Sequence, residues 1–115
     1  MKILALDQSS KISGFAIFKD GKLIDYGRFN FVNADLGKRL ERIREKVISL
    51  VSENKIDKVI LEDIQLESTV NNNVAVYKVL SEVIGVITET LTELRTPYEL
   101  VYPNTWRKLL SIKGY

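Results

Sequence analysis

The chain has 115 residues, 45% of them hydrophobic, with 17 Lys and Arg against 15 Asp and Glu for a formal net charge of +2; that suits one buried core in a single domain spanning 1–115 and neither argues for nor excludes a nucleic-acid partner. It holds no cysteine and no histidine, which excludes disulfide frameworks, thiolate or imidazole metal centres and every Ser-His-Asp or Cys-His nucleophile, so catalysis would rest on carboxylates, hydroxyls, lysines or a bound metal. No uncharged stretch approaches the roughly 20 residues of a membrane span and no signal-peptide pattern opens the chain, so the expected setting is cytoplasmic, without a membrane.

The first apolar run, Met1-Lys2-Ile3-Leu4-Ala5-Leu6, ends on Asp7 and predicts a strand over 2–7. Small hydroxyl residues follow, Ser9, Ser10 and Ser13, then Gly14, and Phe15-Ala16-Ile17-Phe18 predicts a second strand over 14–19. Asp20-Gly21 between apolar runs signals a hairpin. The run over 23–32 alternates only roughly and fits an antiparallel strand near a sheet edge. Leu36, Leu40, Ile43, Val47 and Leu50 then recur at helical spacing, predicting an amphipathic helix over 36–53 capped by Asn33 or Asp35 and ended at Asn54-Lys55. Residues 57–62 are nearly continuous in apolar character, as a buried parallel strand is, and end on Glu62.

A polar loop over 65–73 leads into a second predicted helix over 74–94. Tyr77, Leu80, Ile84, Ile87, Leu91 and Leu94 form one apolar stripe, and Val76, Val79, Val83 and Val86 an adjoining one. So wide an arc fits either burial between sheet and neighbouring helix or a second contact with a partner subunit. Gly85 inside this helix costs about 1 kcal/mol relative to alanine and points to close packing there. Pro97 closes the helix, 98–102 reads as a fifth strand, and Pro103 opens a third helix carrying Trp106, Leu109 and Leu110.

The order βββαβαβα specifies an α/β fold with a mixed five-stranded sheet, a three-strand antiparallel meander plus two parallel strands, with helices on its faces. With the first strand central and the fourth beside it, Asp7 and Glu62 end on neighbouring strands at one rim, where open α/β sheets bind ligands. Adjacent carboxylates repel unless a cation lies between them. Mg²⁺, with Mn²⁺ as an alternative, takes oxygen ligands, keeps several waters, and is held by one or two carboxylates plus substrate phosphate. Asp7 is the candidate bridging ligand and Glu62 the second. Asp63, one residue on, points to the other face.

These residues resemble the RuvC family of Holliday junction resolvases, within the ribonuclease-H-like superfamily, and most nearly its phage-type members. Ile3-Leu4-Ala5-Leu6-Asp7-Gln8-Ser9, followed by Ser13-Gly14-Phe15-Ala16, resembles the family's first strand, metal aspartate and Gly-aromatic start of strand two. Ile60-Leu61-Glu62-Asp63 resembles the second acidic motif, and Asn72-Asn73 with Leu80 and Gly85 resembles the helix that pairs subunits. Val101-Tyr102-Pro103-Asn104-Thr105-Trp106-Arg107-Lys108 resembles the exit from strand five.

The resemblance implies a ribonuclease-H-like fold and a metal-dependent endonuclease that resolves four-way DNA junctions in recombination and repair. It also implies a homodimer through helix 74–94 and DNA contacts from Ser9, Lys11, Arg107 and Lys108, with Lys113 nearby. The family takes two further acids from a helix beyond the tryptophan segment. Nothing after Lys108 is acidic here, so the expectation is a chain lacking the C-terminal helix and weakly active or inactive as it stands. Two other readings remain open. Leu4-Ala5-Leu6-Asp7-Gln8-Ser9-Ser10 also resembles the phosphate loop of sugar kinases and actin-like ATPases, although Ser9 stands where those openings carry glycine. The same fold also serves non-catalytic DNA-binding or dimerisation modules and nucleases acting on RNA.

Overall fold

A computed structural model describes residues 1–8, 12–63 and 74–102. The chain opens with three strands, β1 (Lys2–Asp7), β2 (Ile12–Lys19) and β3 (Lys22–Asn30). The hairpin falls where Asp20-Gly21 predicts it: Lys19 pairs with Lys22, and Asp20 and Gly21 have φ of 51° and 82°. Two central residues at positive φ give the turn whose twist matches that of the flanking strands. The Asp20 carboxylate also accepts from the Met1 ammonium at 2.7 Å, a bond that holds it below the usual carboxylate range.

β2 begins two residues earlier than expected, because Ile12 and Ser13 prolong the ladder against Asn30 and Phe29. β3 stops short of residue 32 because the Asn30 side chain accepts from the Val32 amide at 2.9 Å, turning the chain locally. Helix α1 (Leu36–Asn54) starts at Asp35, whose side chain accepts from the Lys38 amide at 2.9 Å; Asn33 takes no part in the cap. It ends at Lys55, which adopts a left-handed conformation with φ 53°. Strand β4 (Lys58–Glu62), helix α2 (Val74–Glu93) and strand β5 (Tyr98–Val101) complete the described elements. The predicted helix opened by Pro103 and the polar loop up to residue 73 lie outside the described residues.

The sheet order is β3-β2-β1-β4-β5. β1 pairs antiparallel with β2 and parallel with β4, and β5 runs parallel to β4. This is the meander with two added parallel strands that the sequence predicts, with β1 at the centre. One face of the sheet carries Leu4, Leu6, Ile17, Phe29, Val59 and Leu61. Those residues form the core with Ile43, Val47, Leu50 and Val51 of α1 and Val83, Ile87 and Leu91 of α2. Arg44 ties the two helices together, donating to Glu93 at 2.6 Å, Glu89 at 3.0 Å and Thr90 Oγ1 at 3.1 Å.

The wide apolar arc of α2 divides along the helix rather than around it. Val83 at its middle and Ile87, Thr90 and Leu91 in its second half are buried. In the first half Val74 is 83% exposed, and Val76 and Tyr77 are exposed as well. Gly85 departs from expectation: a Cβ built there would meet nothing within 4 Å. The residue is exposed on α2, so among the described residues no close approach requires glycine. No described helix is long and apolar enough to cross a membrane.

Candidate functional site

β1 and β4 run in the same direction with Leu4 opposite Val59, Ala5 opposite Ile60 and Leu6 opposite Leu61. The next residues on the two strands are Asp7 and Glu62. Side chains alternate along a strand. Both carboxylates therefore stand on the face opposite the buried Leu6 and Leu61, one strand spacing apart, which is roughly 5 Å between the backbones. The structure thus brings the two predicted acids to one rim of the sheet. Asp7 is exposed and Glu62 half-buried. On its other side Asp7 pairs with Gly14, so its direct partner on β2 carries no side chain. None of the ion pairs among the described residues involves Asp7.

Gln8 is a site residue that sequence reasoning missed. Its carboxamide reaches across to β4, where Nε2 donates to the Glu62 carbonyl and Oε1 accepts from the Glu62 amide at 3.3 Å. The side chain acts as one more peptide unit at the end of the parallel ladder. On the far side of β4 the Asp63 amide donates to the Val101 carbonyl at 2.7 Å. The backbone of Glu62 is thus held from both flanks. The signal available in the sequence was slight: an amide side chain directly after a strand end.

Two carboxylates at neighbouring strand ends, turned to the same face of the sheet, form a hard oxygen donor set that fits Mg²⁺ or Mn²⁺ with water and phosphate oxygens completing the coordination. Among the described residues no group of three or more acids or other metal ligands exists. The described site therefore offers two protein carboxylates. Ser9, Lys11, Arg107 and Lys108, the predicted DNA contacts, lie outside the described residues, as do Lys113 and Trp106.

Replacing Gln8 with Ala removes both bonds to Glu62. We expect a loss of about 1 kcal/mol per bond in stability and a roughly 10- to 100-fold loss of Mn²⁺ affinity, the usual effect of deleting a group that orients a ligand. Calorimetric Mn²⁺ titration of the folded variant checks this; unchanged affinity would show that Gln8 supports the sheet alone.

No protein-family model matches the chain, and no curated protein matches its sequence. Solved structures do share its fold. Thermus thermophilus RuvC in complex with a Holliday junction substrate superimposes with a TM-score of 0.82 at 13% identity, covering 96% of this chain and 69% of that one. A further T. thermophilus RuvC structure gives 0.73 at 19% identity, covering 90% of this chain and 64% of that one. The fowlpox virus resolvase, solved with Holliday junction DNA, gives 0.60 at 20% identity, covering 90% and 61%. The chain spans roughly two thirds of the length of these proteins. At such identities the likeness shows the fold, a ribonuclease-H-like mixed sheet of the kind found in the resolvases.

Proposed function

We propose that the chain is the sheet domain of a divalent-metal-dependent endonuclease that resolves four-way DNA junctions by phosphodiester hydrolysis in the cytoplasm. The observation that carries the reading is the register placing Asp7 beside Glu62 at one rim of a resolvase-like sheet. Asp7 and Glu62 would hold Mg²⁺, or Mn²⁺, between them. Bound there, the ion would activate a water and neutralise charge on the scissile phosphate. The two carboxylates repel a phosphodiester when no cation is bound, so productive docking of DNA is tied to loading of the site. Gln8 fixes the spacing of the pair. Ser9, Lys11, Arg107 and Lys108 would contact the DNA backbone, which supplies most of the affinity and makes it salt-dependent.

The exposed Val74, Val76 and Tyr77 on the first half of α2 support a homodimer through that helix. Such a dimer sets two rims across one junction, suited to paired nicks in symmetric strands.

The test compares a four-way junction with linear duplex of equal length in binding and in Mn²⁺-dependent nicking. We expect at least about tenfold tighter binding to the junction, less than the roughly 10³–10⁷-fold by which base-reading DNA binders exceed non-specific affinity because shape and backbone contacts carry the preference, and nicking abolished by EDTA. Equal affinity for the two DNAs would overturn the junction reading. Junction binding with no nicking in Mn²⁺ would select instead a non-catalytic binding module, the reading favoured by the small number of acids among the described residues.

A further inference from the structure

A line of side chains crosses the sheet face opposite the α1–α2 core, at the rim where Asp7 and Glu62 stand. Arg28 on β3 pairs with Gly14 on β2, and Gly14 pairs with Asp7 on β1. Cross-strand partners share a face. Arg28, Gly14, Asp7 and Glu62 therefore stand in one row, with a cation at one end and two carboxylates at the other. Two strand spacings, roughly 10 Å, separate Arg28 from Asp7 along the backbone. The glycine between them contributes no side chain. Ala5, Asp7, Gly14, Phe15, Ala16 and Gly27 line a shallow depression along this part of the sheet.

Arg28 owes its place in the row to a β-bulge. Counted from the hairpin pair Lys19 and Lys22, an unbroken ladder would set Gly14 against Gly27 and Arg28 against Ser13, on the core face. A register shift between Ile17 and Phe18 moves every later pair by one residue. That shift turns Arg28 to the face of Asp7 and sets Gly27 under Phe15, whose ring would lie 2.9 Å from any Cβ at that position. On its own face Arg28 has Tyr26 and Asn30 as strand neighbours and Gly14 as partner, none of them a carboxylate. It is exposed, and none of the ion pairs among the described residues uses it.

We propose that Arg28 is a phosphate-binding residue of this site, its guanidinium gripping a phosphodiester of the strand whose neighbouring phosphate faces Asp7 and Glu62. The planar guanidinium fork matches two phosphate oxygens at once. A strand laid along the row meets the arginine, crosses the low floor at Gly14 and reaches the acids. The inference rests on the proposed nuclease reading and adds to it a strand path across β2 and β3.

The test measures junction and duplex affinity against salt concentration, without a cleavage-supporting metal, for the unaltered chain and for Arg28→Gln, Arg28→Lys and Lys22→Gln. The last removes the same charge from the far end of the same strand. We expect Arg28→Gln to weaken binding about three- to tenfold and to lower the log–log salt slope by about 0.9, one phosphate contact. Arg28→Lys should keep the slope, and Lys22→Gln should leave both slope and affinity near those of the unaltered chain. A slope for Arg28→Gln equal to that of the unaltered chain, or a loss no larger than that of Lys22→Gln, overturns the proposal. Failure of the junction reading looks different: the unaltered chain would bind duplex and junction equally while the slope change at Arg28 persisted.

Discussion

An Asp7→Asn variant is expected to lose Mn²⁺ binding by at least about 100-fold and metal-dependent cleavage by roughly 10³-fold. The second figure corresponds to the several kcal/mol that a metal supplies to a charged transition state. The substitution keeps the side chain's shape and removes one charge and one anionic ligand from a pair. Its effect on folding should be small and of the opposite sign. Asp7 is exposed and enters no ion pair among the described residues, so nothing in the core depends on its charge. Removing its repulsion with Glu62 stabilises the sheet rim by no more than about 1 kcal/mol, the size of a solvent-exposed charge interaction at short range.

A second sign reversal accompanies it. In metal-free buffer the variant should bind junction DNA at least as tightly as the unaltered chain, because one negative charge has left the docking face. Calorimetry with Mn²⁺, thermal melts and gel shifts in EDTA report these three quantities separately. Unchanged Mn²⁺ affinity in both Asp7→Asn and Glu62→Gln would remove the candidate site, whatever DNA the chain binds.

The two acids were legible in the sequence because each closes an apolar run, and because the chain order of strands and helices places those runs side by side. Asp20-Gly21 and Asp35 were legible for a related reason: a tight turn and a helix cap depend on a few consecutive residues. Gln8 was not legible. Its bonds to Glu62 depend on where β1 ends relative to β4, an offset between residues 54 positions apart. Arg28 was hidden by the bulge between Ile17 and Phe18, since an extra residue in one strand inverts the facing of everything beyond it. Gly85 misled in the other direction. Its cost to the helix can be read from sequence, but whether a neighbour stands against it depends on which side of α2 meets the sheet.

The largest stability effect should come one residue away from the site, at Leu61→Ala. Leu61 is fully buried. It sits on β4 opposite Leu6 on β1 and Leu100 on β5, in the cluster that includes both helices. Truncation there removes burial and leaves a cavity that the strands cannot close, because their ladders fix the spacing. The expected loss is about 2–5 kcal/mol, a large share of the roughly 5–15 kcal/mol that holds a domain together. At roughly 4 °C per kcal/mol for a domain of this size, the melting temperature should fall by about 8–20 °C. Glu62→Gln, the adjacent substitution on the opposite face, should leave the melting temperature nearly unchanged while Mn²⁺ affinity collapses. The contrast follows from strand alternation alone: one residue faces the helices and the next faces the open rim. If Leu61→Ala melted within a few degrees of the unaltered chain, β4 would not lie in the core, the pairing of Leu6 with Leu61 would be wrong, and Asp7 and Glu62 would no longer be neighbours.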